Sequence, residues 1–462
     1  MELQLRISGL HHEVLKHHLL PQDGREAVAV ALCGRHNSES GKILMVHDLT
    51  LIPHNECYTR EWDLLCWPTQ RIISYFERIA KNDLAILKIH SHPGGYEKFS
   101  NVDDASDYEF FDSVFGWATT NEPHASAVML PEGKIFGRFF FDDLHHEPIN
   151  NVSVSGDIIH HYKKRNNYTI DEFALRTIQA FGEKTYQSVK GMSVGIVGCS
   201  GTGSPLIEQL VRLGVGKIVL IDPDTVELKN LNRIFHTTVE SAKKHQPKVE
   251  VIAKAIKTIG LGTEVVSFQM NLYDSIAALK SLIECDTVFG CMDSVDGRHL
   301  LNQLCSFYLI PYVDLGVKLE ADGNGGIEKI VGTVHYIQPG KSSLLSRGQY
   351  TTEDVRAAGQ YRKNPAEYKK LKKEAYIKKI SVNNPAVISV NMQIASHAVN
   401  EFLNRIHPYK AEHPKQYAAS TIDVTEGYIV NVPESDFRTD SYLLKRIGRG
   451  DTVPFLEMPE LS

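Results

Sequence analysis

The chain is 462 residues long, and at roughly 150 residues per domain its length predicts about three domains, or two with long insertions. Hydrophobic residues make up 42% of it, charged residues 23% and aromatic residues 9%, ordinary globular values that exclude collagen-like, coiled-coil and largely disordered architectures. With 50 Lys and Arg against 56 Asp and Glu, the net charge of −6 favours neither nucleic acid nor an anionic membrane as a partner.

The first elements predicted are short apolar runs at 27–33 (AVAVALC), 84–89 (LAILKI) and 125–130 (ASAVML), each ending near turn residues as buried strands do. Pro131-Glu132-Gly133 then leads into KIFGRFFF, which predicts a hairpin. Residues 62–81 (WDLLCWPTQRIISYFERIAK) have the spacing of an amphipathic helix, so residues 1–150 are expected to form a mixed α/β domain. The polar stretch that follows places a linker at 151–170. Beyond it a helix (171–189), strand MSVGIVG (192–198), a helix from 203, strand KIVLID (217–222), a helix from about 246, strand EVVSF (264–268), a helix, strand TVFGC (287–291) and a further helix alternate. That alternation predicts βαβ units on a mostly parallel, Rossmann-like sheet, spanning 171–410, with a C-terminal extension over 411–462. The fold class is therefore α/β in both parts. The Lys-rich segment 352–380 reads as a solvated helix, with a docking surface for an acidic protein as the alternative.

Seven cysteines, at positions 33, 57, 66, 199, 285, 291 and 305, are odd in number and irregular in spacing, which argues against a secreted disulfide framework. The N-terminal stretch lacks a basic-then-apolar signal, and no run approaches the ~18 apolar residues of a membrane span. A cytoplasmic protein without a membrane partner is expected.

Strand 84–89 runs into His90-Ser91-His92-Pro93, followed by Ser100 and Asp103. Histidines at i and i+2 leaving a strand point to one side, and Asp103 completes three ligands. Two nitrogens, one carboxylate oxygen and an open fourth position are what hydrolytic Zn²⁺ needs to make water nucleophilic near neutral pH. Such water requires a base that passes its proton to the leaving amine, and Glu26 is the best-placed acid. The pairs His11-His12, His17-His18, His145-His146 and His160-His161 have no acids at ligand spacing and read as surface features. The H-x-H-P-x6-S-x-x-D pattern resembles the JAMM/MPN (JAB) metalloprotease family, which cleaves bonds after the C-terminal glycine of ubiquitin-like proteins. The resemblance implies His90, His92 and Asp103 as zinc ligands, Glu26 as general acid/base and Ser100 as a donor to the tetrahedral oxyanion.

Strand 192–198 ends in Gly198-Cys199-Ser200-Gly201-Thr202-Gly203-Ser204 and opens into a helix. Glycines there let backbone N–H groups and the helix dipole approach phosphates, and Asp222, ending the next strand, stands where a ribose-binding carboxylate belongs. The glycine spacing departs from G-x-G-x-x-G, since Ser200 occupies the second glycine position; this disfavours a nicotinamide-dependent oxidoreductase. The segments IDPDTVELKNLNRIFHTTVESAKKHQPK, FGCMDSVDGRHLLNQ and NPAVISVNMQIASHAVNEFL resemble the ThiF/MoeB/HesA superfamily and the adenylation domains of ubiquitin-activating enzymes. By that resemblance Gly198, Gly201, Gly203 and Ser204 form the ATP turn, and Asp222 holds the ribose. Asn230, Arg233 and Lys248 surround the triphosphate, and Asp293 coordinates Mg²⁺. Arg176 reaches into the site of a second subunit, implying a homodimer.

Many such relatives carry cysteines after the Pro-Gly turn, here Pro339-Gly340; this chain reads Lys341-Ser342-Ser343-Leu344-Leu345-Ser346-Arg347, and no cysteine follows Cys305. Three readings stay open: Ser343 or Ser346 is an engineered replacement of a cysteine, the reaction ends at the acyl-adenylate, or a serine carries an oxyester. Together the two resemblances imply a bifunctional enzyme of bacterial ubiquitin-like modification, of the kind used in antiviral defence. Its expected partners are a ubiquitin-like or sulfur-carrier protein with a C-terminal glycine and a conjugating-enzyme-like protein. Sulfur-carrier activation for cofactor or cysteine synthesis, and a scaffold with inactive sites, are the alternatives.

Overall fold

The computed structural model describes residues 1–163, 169–321, 327–364 and 387–461. Its first sheet comprises β1 (Glu2–Ser8), β2 (Val28–Asn37), β3 (Gly41–Leu51), β4 (Ala85–Ser91), β5 (His124–Met129), β6 (Ile135–Phe140), β7 (His146–Pro148), β8 (Asn151–Ser155) and β9 (Ile159–Lys163). Their spatial order is β9-β8-β1-β3-β2-β4-β5-β6-β7. Period-two alternation sorts their side chains between two faces. Ala29, Ala31, Leu87 and Ile89 join Leu15 and Leu19 of α1 (Gly9–Leu19) in one core. Val30, Leu32 and Ile86 face the other way, toward Ile79 of α2 (Ile73–Asn82) and Phe111 and Val114 of α3 (Asn101–Trp117).

Two expectations for this half are corrected. The helix expected over 62–81 starts at Ile73; ahead of it lie a short hairpin, 59–60 with 65–66, and a 3-10 turn over Thr69–Ile72. Pro68, with its fixed φ and no N–H to donate, disfavours a continuous helix there. The linker expected at 151–170 instead carries β8 and β9: β8 pairs in parallel with β1, from Gln4 with Asn151 to Ser8 with Ser155. The first sheet therefore runs to residue 163.

The second sheet comprises β10 (Ser193–Val197), β11 (Lys217–Ile221), β12 (Glu264–Phe268), β13 (Thr287–Gly290), β14 (Tyr312–Ala321), β15 (Ile327–Ile337), β16 (Ala419–Asp423) and β17 (Tyr428–Val432). In the order β12-β11-β10-β13-β14-β15-β16-β17, the first five are parallel and the last three are joined antiparallel. Val194 and Ile196 pack with Leu206 of α4 (Gly203–Arg212), Ile252 of α5 (Lys248–Ile259) and Phe402 of a long C-terminal helix. Val197, Val219 and Val288 pack on the opposite face with Leu300 and Leu304 of α6 (Val295–Phe307). The alternation expected from the sequence is present, with one helix divided: Gly182, at φ 83, separates Leu175–Phe181 from Glu183–Lys190. The C-terminal extension expected over 411–462 is corrected too, because β16 and β17 complete this sheet. Of the Lys-rich segment, residues 365–380 lie outside the described residues. Its earlier part is a helix, Thr352–Lys363, that is docked rather than freely solvated: Arg362 Nε donates to Asp296 at 2.9 Å and its guanidinium covers Tyr273. Among the described residues, no helix is long and apolar enough to cross a membrane.

The two sheets share a core. Ile43 and Met45 of β3 turn away from α1 and join Leu304 and Tyr308 of the second unit. Arg6, 3% exposed, donates to Tyr308 O at 3.1 Å and Cys285 O at 3.4 Å. The surface reading of the histidine pairs is corrected for two members: His12 is buried with Nε2 2.7 Å from Gly133 O, and His161 faces Asp286 at 3.6 Å. The C-terminal tail is threaded between the units. Gly448 N donates to Ser306 O, Gly34 N donates to Gly448 O, and Asp451 N donates to Arg35 O. Asp451 then joins buried His36 (3.0 Å) to the Tyr308 hydroxyl (2.7 Å). Asp451→Ala leaves both partners without their acceptor and is expected to lower unfolding free energy by about 1–3 kcal/mol, read as a shifted urea midpoint.

Candidate functional site

The first site forms where β4 leaves the sheet. Lys88, His90 and His92 follow one another at two-residue spacing, toward the face covered by α3. The two Nε2 atoms lie 3.1 Å apart; His90 Nε2 is 3.0 Å from Asp103 Oδ1 and His92 Nε2 3.3 Å from Asp103 Oδ2. Each of these distances is near the edge of a tetrahedron of N and O ligands about zinc, roughly 3.3 Å. All three residues are buried, and they form a metal-ion-sized cluster of donor atoms. His92 Nδ1 lies 2.8 Å from Tyr96 O; donating its N–H to that carbonyl fixes the tautomer and leaves the Nε2 lone pair for a metal. The donor set thus fits Zn²⁺.

Asp103 owes its position to the helix start. Ser100 caps α3: Asp103 N donates to Ser100 Oγ at 3.1 Å, and Ser100 N donates to Asp103 Oδ2 at 2.6 Å. The S-x-x-D spacing is therefore also a capping box, and Ser100 has an architectural task beside the expected one. Glu26 Oε1 lies 3.9 Å from His92 Nε2. Its backbone N donates to Glu61 O in the short hairpin, and burial pushes its carboxyl up to about 7.

A layer behind the ligands was not anticipated from the sequence. Asp107, one turn beyond Asp103 and fully buried, accepts from Lys88 Nζ at 2.8 Å and from Arg138 Nη2 at 2.8 Å. It ties α3, which carries Asp103, to β4, which carries His90. The available signal was period alone: 103 and 107 share a helix face, and 88, 90 and 92 share a strand face. Asp107→Ala leaves buried Lys88 without its carboxylate and Arg138 with Asp104 alone, and a loss of about 3 kcal/mol in urea unfolding is expected.

The second site lies at the C-terminal ends of β10, β11 and β13. Gly198 has φ 96, and a Cβ there would sit 2.4 Å from Cys291 O; a Cβ on Gly203 would sit 1.9 Å from Gly198 O. Only glycine closes this turn. Cys199 N donates to Asp222 Oδ2 at 2.7 Å and Asp224 N to Asp222 Oδ1 at 2.9 Å. Lys248, which opens α5, is 5% exposed, with Nζ 2.7 Å from Asp224 Oδ2 and 3.8 Å from Asp222 Oδ1. Asp293 follows β13, and the cations whose charges reach it are Arg298, Arg233 and Lys248. The structure thus brings Asp222, Arg233, Lys248 and Asp293 together around the turn.

Other expected residues have local partners. Ser204 Oγ accepts from Phe235 N at 3.1 Å, tying the loop of Arg233 to α4. Asn230 Oδ1 accepts from Glu227 N at 3.0 Å within that loop. Arg233 Nη1 donates to Lys229 O at 2.8 Å. Arg176 is exposed, donating to Gln179 Oε1 at 3.0 Å. Cys199 and Cys291 are buried, and burial pushes both thiols up, as small core residues require. A buried group missed from the sequence stands beside the site: Arg298 Nε and the Tyr312 hydroxyl both donate to Asp314 Oδ1, at 2.9 and 2.6 Å. Ser343, 1% exposed, donates to Asp440 Oδ2 at 2.6 Å, and Ser346 Oγ accepts from Ser343 N at 2.9 Å. Neither serine is presented as a free nucleophile.

Comparison with known proteins adds the following. The ubiquitin-like modifier-activating enzyme 5 of Culex quinquefasciatus is 29% identical over 184 residues, covering 37% of this chain and 44% of that protein. Its Dictyostelium discoideum counterpart is 31% identical over 171 residues, covering 35% and 42%. The chain thus spans less than half the length of these curated relatives. The solved structure of E. coli MccB with ATP is 19% identical over 60% of this chain and 74% of that one, with a TM-score of 0.45. The model of the ThiF family matches residues 174–436, more than half of the chain and the whole of the strand-and-helix frame that carries the glycine turn, and the chain therefore belongs to the ThiF family.

Proposed function

We propose that the chain activates the C-terminal carboxylate of a ubiquitin-like protein by adenylation and, in its N-terminal unit, hydrolyses peptide or isopeptide bonds made at that carboxylate. The observation that carries this reading is the closed His90–His92–Asp103 donor set in a chain whose other half is a ThiF domain. The curated relatives are named for activating ubiquitin-like modifiers, which supports the carrier class and ATP as co-substrate.

In the ThiF half, Asp222 accepts one N–H on each oxygen, and the lone pairs left over suit a ribose diol. Arg233 and Lys248 place positive charge where a triphosphate would lie. A carboxylate oxygen of the carrier attacks the α-phosphorus, forming the acyl-phosphate bond while the bond to the β-phosphate oxygen breaks and pyrophosphate leaves. Catalysis of such a step rests on positioning and on neutralising charge. Asp293 would hold Mg²⁺, which usually takes one or two carboxylates with substrate phosphates and water and would supply further neutralisation. Exposed Arg176 suits a contribution to the site of a second subunit, in a homodimer. With Ser343 hydrogen-bonded to Asp440, the reaction in this chain ends at the acyl-adenylate, which a conjugating-enzyme-like partner then consumes.

In the N-terminal unit, a JAB/MPN metalloprotease in this reading, His90, His92 and Asp103 would hold Zn²⁺, which supplies Lewis-acid activation of water. Glu26 receives the proton of the attacking water and delivers it to the leaving amine. Ser100 uses its hydroxyl as acceptor toward Asp103 N, so its proton is left for the oxyanion of the substrate.

Two measurements separate the halves. With a ubiquitin-like protein ending in glycine, ATP–pyrophosphate exchange is expected, falling at least ~100-fold in Asp293→Ala; absence of exchange across a panel of such carriers overturns the adenylation half. Asp103→Ala is expected to lose zinc by metal analysis and to abolish cleavage of a carrier–lysine isopeptide while leaving exchange intact. Zinc-loaded protein that cleaves no such bond overturns the hydrolytic half.

A further inference from the structure

Asn391, which closes the first turn of α7 (Ile388–Ile406), is 2% exposed, and its Nδ2 has no hydrogen-bond partner among the described residues. Buried amide donors are almost always paired, so an orphan of this kind calls for a partner that binds. Its location indicates which. A Cβ on Gly201 would lie 2.4 Å from Asn391 Nδ2 and 3.2 Å from Arg233 Cδ. The absence of a side chain at 201 is thus what admits both the amide and the stem of the guanidinium to one patch of the nucleotide turn. The helix behind the amide is anchored in the core through Ile394, Ala395 and Ala398, which holds the donor away from solvent.

The turn also has a direction. Its Cys199 end is marked by Asp222, which accepts from Cys199 N and is the ribose-side carboxylate. Gly201, two residues further, is shared by Arg233 and Asn391 and marks the opposite, phosphate side.

We propose that Asn391 is a nucleotide-binding residue whose Nδ2–H donates to an oxygen of the β- or γ-phosphate of ATP, alongside Arg233, and so binds the pyrophosphate that leaves. This rests on the adenylation reading above. A neutral amide adds a directed donor where a further cation would repel Arg233, and hydrogen bonds to charged acceptors are the stronger kind.

The test is calorimetric titration of ATP and, separately, AMP, each with Mg²⁺, into the full chain and its Asn391→Leu and Asn391→Asp variants. The dissociation constant for ATP is expected to rise about ten-fold in Asn391→Leu and further in Asn391→Asp, with that for AMP changing by less than about two-fold. Asn391→Asp is isosteric and covers a disturbance of the turn by Leu. ATP affinity unchanged in both variants overturns the inference, and so does an equal loss for ATP and AMP, which would mark Asn391 as a prop of the loop. A wild-type chain that binds neither nucleotide overturns the adenylation reading itself, and this inference with it.

Discussion

The outward faces of β1 and β3 cannot meet water, and the arrangement of both halves follows from that constraint. On β3, Leu44 and Val46 point to the core under α1, while Ile43 and Met45 point the other way and are equally buried. Burying such side chains is worth about 1.5–3 kcal/mol each. The helix layer of the ThiF domain supplies the cover, and Arg6 fills the seam by donating to two carbonyls that stand just beyond helix C-termini. The C-terminal tail seals the same seam from the side through Gly448 and Asp451. The two candidate sites are therefore carried by sheets that share one core.

Both sites use one local device, the passage from a strand end into a helix N-terminus, with opposite chemistry. At the end of β4 the helix start is capped by Ser100, which fixes Asp103 so that its carboxylate converges with the Nε2 atoms of His90 and His92, a donor set that suits a cation. At the end of β10 the turn is stripped of side chains, which leaves backbone N–H groups at a helix start, an arrangement that suits an anion. The difference lies in residue type at the turn: a capping Ser and Asp in one case, Gly198 and Gly203 in the other. A second layer supports each: Lys88, Asp107 and Arg138 behind the first, and Asp314 with Arg298 and Tyr312 beside the second.

The absence of a cysteine beyond Cys305 acquires a physical meaning from the same packing. Ser342 donates to Glu434 at 2.7 Å and Ser343 to Asp440 at 2.6 Å, while Arg347 Nη2 donates to Glu434 at 2.8 Å. Hydrogen bonds and one buried ion pair hold this segment to the chain that follows β17, so the turn is secured without thiol chemistry.

How much was legible varies with the range of the interaction. The strand positions, the glycine turn and the HxH-to-Asp spacing are local features, and local periodicity and turn chemistry determined them: β12 falls on Glu264–Phe268 as expected, and the ligand atoms of His90, His92 and Asp103 meet. Partnerships across long separations were not legible. The polar-looking stretch around Asn151–Ser155 became a strand because β1, nearly 150 residues earlier, offered it a free edge. Lys248 was expected near a triphosphate from resemblance alone; that it is buried, with Asp222 and Asp224 beside it, depends on partners far along the chain. Asn391 lies within a segment that resembles the family, but no spacing there marks it as a ligand-binding residue; what singles it out is the contact with Gly201. The sequence by itself determined which residue types stand at each strand end, since spacing along the chain sets which way each side chain points. Tertiary structure alone decided which of them are buried and who their partners are, because desolvation and hydrogen bonding depend on neighbours in space.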